Sequence, residues 1–441
     1  MYLRYMKTQL MEKIRAVKAA NVFLDCALAL ALCASFTAAP AQTRQTAVDG
    51  AATQRMSLDE CLAFAADHNL ALKTADRQVE RARTLQGTAW DVERTELSLS
   101  QDPTAGGSPD NAVALSQQIE FPTVYAARHG QLKAEARAER SRRNVTAQQL
   151  RADIVAAYWQ LVYGRERMAI LAAQDSVLRH YADVESKRYA AGDSRQLEAI
   201  TARRMVHENA LELATARADC AAAQQQLATL LGTALLVEPA DGALRPLDYT
   251  PDGFVFGSTP EGELAADRVA VADKALRVAK NGWAPSLSLT LKNQLVITGW
   301  DPYHENRARY SGGNFMGFEV GIGVPLVFGA TKAKVKAARA DREIAELELQ
   351  RQHAAQQADY NAALARYTTA FSRLRYYDGQ GADSAREMER LATEEYEQGE
   401  LTSLEYVHVL QESIDSRLKR AEAVNAYNLA VVELKRLAGK W

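Results

Sequence analysis

The apolar positions of this 441-residue chain follow two periods that alternate in a fixed order. From Met56 to about Glu93 the spacings of three and four predict a helical region, opened by Ser57 with Glu60 three residues later, a capping-box pattern. The period then falls to two. In "ELSLS" (96–100) Leu97 and Leu99 share a face, and "AVALSQQIEF" alternates again up to Pro122. Between them "QDPTAGGSPDN" has the composition of a turn-forming loop. From Thr123 to about Tyr189 there is no proline, and glycine occurs only at 130 and 164. At 1.5 Å per residue this predicts a rod of roughly 100 Å. A further helix runs past Gly192 to Leu231, where Gly232 suits a C-terminal cap.

Residues 233–262, rich in proline and glycine, read as a connector, and then the same order returns. A helix is expected over about 263–281, followed by strands over about 284–299 and 315–327 that mirror those at about 95–101 and 112–121. The alternation is clean. Leu287, Leu289 and Leu291 oppose Ser286, Ser288 and Thr290, while Met316, Phe318, Val320 and Ile322 oppose Gly317, Glu319, Gly321 and Gly323. A long helix from about Gly329 to Tyr396, loosened at "DGQGAD" (378–383), leads through Gly399 into a last helix with one apolar stripe. The chain therefore reads as a duplication over 42–232 and 263–441: helix, strand, strand, long helix, tip, helix, twice. Tyr189, Gly192, Leu197 and Glu198 of the first tip (189–198) answer Tyr396, Gly399, Leu404 and Glu405 of the second (396–405), each pair 207 residues apart.

Four strands with one apolar face cannot close a barrel, and open edges are severely penalised in lipid. Small bacterial barrels start at eight strands, whereas three protomers of four strands supply twelve and leave no edge. The expected fold class is therefore mainly α with a membrane β-barrel, the trimer continuing into an α-helical barrel around water. The glycines at 192 and 399 are the expected turning points, because glycine tolerates the left-handed backbone of a tight reversal. The tyrosines would pack those turns.

Composition narrows the function. Fifty-three basic residues face 55 acidic ones, with no basic run longer than three and no aromatic-flanked basic stripe, so nucleic acid is not an expected partner. Lys7, Lys13, Arg15 and Lys18 precede the apolar run "CALALALCASF", and Ala39-Pro40-Ala41 fits signal cleavage, so residues 1–41 read as a signal peptide. Cys61 and Cys220 remain after cleavage; pairing in an oxidising compartment and two buried helix-face thiols are both open. No nucleophile elbow, phosphate loop or HExxH occurs, and the seven histidines show no helical metal spacing. Neither an enzyme nor a cofactor is expected.

Together the duplicated order, the Tyr-x-x-Gly tips and "GVPLVFG" resemble the outer-membrane efflux proteins of the TolC family across the mature chain. "IEFPTVY" (119–125), "IGVPLVFG" (322–329) and "YEQGELTSLEYV" (396–407) look most like members that accompany heavy-metal-type resistance–nodulation–division (RND) pumps. The resemblance implies a homotrimeric channel-tunnel of a Gram-negative outer membrane that extends into the periplasm, its barrel in contact with lipid. An adaptor protein and an inner-membrane RND pump would dock at the tips. Tyr189, Gly192, Asp193, Tyr396, Gly399 and Glu400 are the expected docking positions. In the family, carboxylates just past the tip glycines line the constriction. Here those positions are Glu198 and Glu405, rings of which would favour cations. Two departures bear on the gate: Leu401 stands where some members carry arginine, and His408 where they carry a second acid, so a pH-sensitive gate is conceivable. Metal cations are the expected cargo. The alternatives are drug efflux, type I protein secretion or, in another class, a periplasmic coiled-coil structural protein, which leaves the lipid-like strand faces unexplained.

Overall fold

The computed structural model of the protein describes residues 53–102, 110–295, 314–325 and 328–441. The segment 1–41, most of both strand-connecting loops and the expected strand ends 296–299 and 326–327 lie outside the described residues. The chain opens on β1 (Thr53–Met56), α1 (Leu58–His68) and α2 (Leu70–Leu85). The single helical region expected over 56–93 is thus divided, and Asn69 is the reason. Its backbone is extended, its side-chain oxygen accepts the N–H groups of Ala71 and Leu72, and its amide donates to Leu230 O at 2.7 Å. A side chain that offers the backbone an alternative partner ends one helix and caps the next. Ser57 and Glu60 form the expected capping box.

A short 3-10 turn leads to β2 (Glu96–Asp102) and β3 (Asp110–Glu120), and then to α3 (Pro122–Ala191), whose 70 residues extend for about 105 Å. Pro122 occupies the first turn, where its missing N–H costs nothing. After α4 (Gln196–Leu231), the connector contributes β4 (Leu236–Pro239), which pairs in parallel with β1. The second repeat follows as α5 (Pro260–Asn281), β5 (Ser286–Leu295), β6 (Asn314–Gly323), α6 (Phe328–Asp378), α7 (Gln380–Glu397) and α8 (Ser403–Ala438). The break between α6 and α7 falls at Gly379, inside the segment the sequence marks as loosened.

The main core lies where mid-α3 (Ile154, Tyr158, Leu161) meets α6, α8 and the β1–β4 layer. Tyr158 donates to Asp241 at 2.6 Å, and burial pushes its phenol pKa up. Asn428 is fully buried and clamps the connector to α8: its Oδ1 accepts Leu247 N–H, and its Nδ2 donates to Arg245 O. Cys61 and Cys220 are free, buried thiols. The Cys61 thiol pKa is pushed up to about 11 by burial, which makes it a poor nucleophile.

The four long strands form one antiparallel sheet in the order β2-β3-β5-β6, so the central β3–β5 pairing joins the two repeats. Register puts Leu97, Leu115, Leu291 and Phe318 in one row across all four strands. The adjacent row is Ser98, Ala114, Lys292 and Gly317. One face is therefore apolar and open, with Leu99 80% and Phe318 79% exposed. The other carries the Lys292–Glu319 ion pair at 2.7 Å and the Ser116–Thr290 contact at 3.2 Å. On that polar face Gly321 and Gly323 oppose Ser288 and Ser286 so closely that an added Cβ would run into the serine Oγ. No helix among the described residues is long and apolar enough to cross a membrane.

Candidate functional site at the paired hairpin tips

Each long helical rod turns back through the same backbone device. At the first tip Gly192 has φ of 83°, its N–H donates to Tyr189 O, and Asp193 N–H donates to Arg188 O. At the second Gly399 has φ of 78°, its N–H donates to Tyr396 O, and Glu400 N–H donates to Glu395 O. Both are Schellman closures, in which a left-handed residue lets two N–H groups satisfy the last free helix carbonyls. A Cβ at either glycine would meet nothing within 4 Å, so conformation and not space demands glycine. The tyrosine of Tyr-x-x-Gly supplies a carbonyl to this closure. Its ring behaves differently at the two tips: Tyr396 stacks on Tyr406 at 4.4 Å and 6°, whereas Tyr189 remains 44% exposed.

The tips are brought together by residues that tip periodicity does not single out. Arg188 Nη1 donates at 3.0 Å both to Glu185 Oε1 on its own helix and to Ser403 Oγ at the start of α8. Glu185 is 1% exposed, and its Oε2 has no partner among the described residues. Tyr181 lies beneath it, where burial reinforced by the Glu185 carboxylate pushes the phenol pKa up to about 12. Leu178, Tyr181, Ala202 and Val407 close an apolar knot under the tips. Between the tips lies a cavity of about 630 Å³, lined among others by Glu185, Glu198, Tyr396, Leu401 and Ser403.

The two candidate gate carboxylates occupy different environments. Glu198 is half-buried in the first turn of α4, where the helix dipole favours a negative charge, and faces the tip cavity. Glu405 is exposed, but its carboxylate is occupied by a capping box. It accepts Thr402 N–H at 2.9 Å and the Thr402 hydroxyl at 2.8 Å, and Thr402 in turn accepts Glu405 N–H. The backbone N–H of Thr402, then its hydroxyl, hold the Glu405 carboxyl below the usual range. The T-x-x-E spacing that announces this box is readable in "TSLE". His408 is exposed, with Nε2 4.0 Å from Glu412. The docking positions Gly192, Asp193, Gly399 and Glu400 are all exposed at the far ends of the hairpins.

At the opposite end, each of the four junctions between helix and strand carries one exposed large aromatic: Trp90, Phe121, Trp283 and Phe328. Trp90 stacks on Tyr125 and Trp283 on Phe328, both at 5.6 Å. Such residues collect where hydrocarbon meets water, and they border the apolar face of the sheet.

Residues 263–440 match the outer membrane efflux protein family. The match spans the second repeat, and the fold of the described residues resembles solved outer-membrane channels. The CmeC outer membrane channel of Campylobacter jejuni matches at 16% identity with a TM-score of 0.67, over 87% of this chain and 85% of that one. The MtrE outer membrane channel of Neisseria gonorrhoeae, in its open state, matches at 18% and 0.71 over 87% and 88%. The outer membrane protein VceC of Vibrio cholerae matches at 16% and 0.68 over 87% and 96%. No curated protein sequence matches the chain. The fold is that of these outer-membrane channels.

Proposed function

We propose that three copies of this chain form a channel-tunnel that conducts substrate passively from an inner-membrane RND pump and a periplasmic adaptor to the outside. The observation that carries this reading is the sheet. It has an apolar face open from strand to strand, and its outer strands β2 and β6 each have one partner among the described residues. Three such sheets joined β2 to β6 give twelve strands, an apolar exterior and no free edge. Metal cations are the cargo favoured by the likeness of 119–125, 322–329 and 396–407 to members that accompany heavy-metal-type pumps. The half-buried Glu198, facing the tip cavity, supports a cation-favouring constriction; Glu405 and His408 lie in the first and second turns of the facing helix. The exposed closures around Gly192, Asp193, Gly399 and Glu400 suit docking of an adaptor.

The test is the mass and shape of the detergent-extracted protein from outer membranes, by light scattering and negative-stain microscopy. Hollow cylinders of three chains support the channel. Monomers, or protein released by salt, defeat it. Cargo is read separately, by whether deletion sensitises cells to metal salts or to drugs.

A further inference from the structure

The cavity between the tips carries chemistry that neither the turn closures nor the docking positions use. Its volume is about 630 Å³, and three buried side-chain oxygens of its lining residues have no hydrogen-bond partner among the described residues: Glu185 Oε2, Tyr181 Oη and Ser194 Oγ. Glu185 is 1% and Tyr181 6% exposed. A buried polar atom left unpaired costs about 1–3 kcal/mol, more when it is charged, so three in the wall of one cavity mark a missing partner.

Charge and donor type narrow the choice of partner. Glu185, Asp193 and Glu198 line the cavity against Arg188 and Arg195, which leaves one negative charge in excess. Arg188 is already engaged by Glu185 Oε1 and the Ser403 hydroxyl. Asp193 and Glu198 form no ion pair among the described residues, and Arg195 is exposed at the start of α4. Burial first, then the Glu185 and Glu198 carboxylates, raise the Tyr181 phenol, so both acids lie near the same hydroxyl. Every unpartnered atom of the lining is an oxygen, and oxygen sets suit hard cations. No three His, Cys, Asp or Glu side chains among the described residues converge as a metal cluster. The fitting ion therefore keeps part of its water, as Mg²⁺ does when it binds through one or two carboxylates.

We infer that the tip cavity binds a hydrated divalent cation, held by Glu185 and Glu198 with the Tyr181 and Ser194 hydroxyls as further ligands. The site joins α3 to α4 across the Gly192 closure, and Tyr396 and Leu401 of the second hairpin line the same cavity. Its occupancy braces the first hairpin where Arg188 reaches across to Ser403. The ligands all belong to one protomer, so the inference stands apart from the cargo and from the number of chains in the assembly.

The purified full-length protein, stripped with chelator and dialysed, is titrated with terbium(III), a hard oxygen-seeking probe whose emission is excited through a tyrosine at its site. Saturable emission is expected, with a midpoint on the order of 1 mM or below, reversed by an excess of Mg²⁺ or Ca²⁺. Glu185→Gln and Glu198→Gln should each weaken binding about tenfold or more. Tyr181→Phe should dim the emission at saturation, and Glu212→Gln, exposed on α4, should change nothing. Should Glu185→Gln fail to fold because Arg188 loses its partner, Glu198→Gln still predicts the tenfold loss, since Glu198 has no ion pair to break. Absence of saturable emission overturns the proposal. So does undiminished binding by the folded carboxylate variants, which would place the ion on surface acids instead. A chain that binds the probe as expected yet never assembles would leave the site standing and strike the channel reading.

Discussion

Gly399 illustrates how one residue carries a fold decision and leaves room for function. Its φ of 78° puts an L side chain in a region that costs roughly 1–2 kcal/mol, yet nothing within 4 Å would obstruct that side chain. Gly399→Asn should be nearly silent, because asparagine visits this region. Gly399→Arg should assemble normally and abolish export, which a resistance assay beside a sizing column can read. Unimpaired resistance in that variant would remove the tip from docking. Glu405 makes a second prediction. Its folded pKa is depressed by the Thr402 cap, so the cap's contribution is present above the unfolded pKa of about 4.3 and is lost as pH falls through the lower, folded value. A spin label at Glu400 should keep constant mobility from pH 7 to 5 and loosen only in stronger acid. In Glu405→Gln the acid step should be absent; a step near neutrality in the wild type would mean that this cap is not its source.

At the scale of elements, one guanidinium ties the two hairpin tips above the apolar knot of Leu178, Tyr181, Ala202 and Val407. Arg188 compensates a carboxylate that is 1% exposed and reaches across to Ser403. Removing one partner of a buried pair leaves an uncompensated charge at a cost of about 3–5 kcal/mol, less here because the cavity admits water. Arg188→Ala should therefore lower the thermal midpoint and raise the resting conductance of the reconstituted channel. Glu185→Gln/Arg188→Ala should recover the midpoint while the conductance stays high, since the tie to Ser403 is still missing. This contact was not legible in the sequence: Glu185, Arg188 and Ser403 look like ordinary polar positions, and only the meeting of helices 215 residues apart gives them a partner. The elements themselves were legible because period two and the helical period are so clean here. Asn69 shows where that reading ends, since the amide that caps α2 through Ala71 and Leu72 is anchored on Leu230 O, 161 residues away. The capping role of Glu405 was available in the spacing Thr402-x-x-Glu405.

For the whole molecule, the sheet decides the environment. A cation on the lipid side of a barrel costs about 2–4 kcal/mol near the midplane, while the lumen side tolerates one. Phe318→Lys should lose outer-membrane protein, and Thr290→Lys, on the opposite face, should retain it, as fractionation and heat-modifiable gel mobility would record. Equal loss in both would mean that the faces are assigned wrongly. The apolar face was legible in the alternation of 287–291 and 316–322, whereas the strand order was not, because periodicity within a strand says nothing about which strand it joins.

That strand order makes the two outer rims of one sheet unlike: one rim is β2, from the first repeat, and the other is β6, from the second. In the proposed ring each seam joins a first repeat to a second. The even number of strands keeps their directions alternating across every such seam. A chain of copies growing this way presents the same two unlike rims at every stage, and no partial assembly satisfies them. Only the last seam removes both at once. Assembly should accordingly behave as a single threshold event, with isolated chains and finished rings the only long-lived populations.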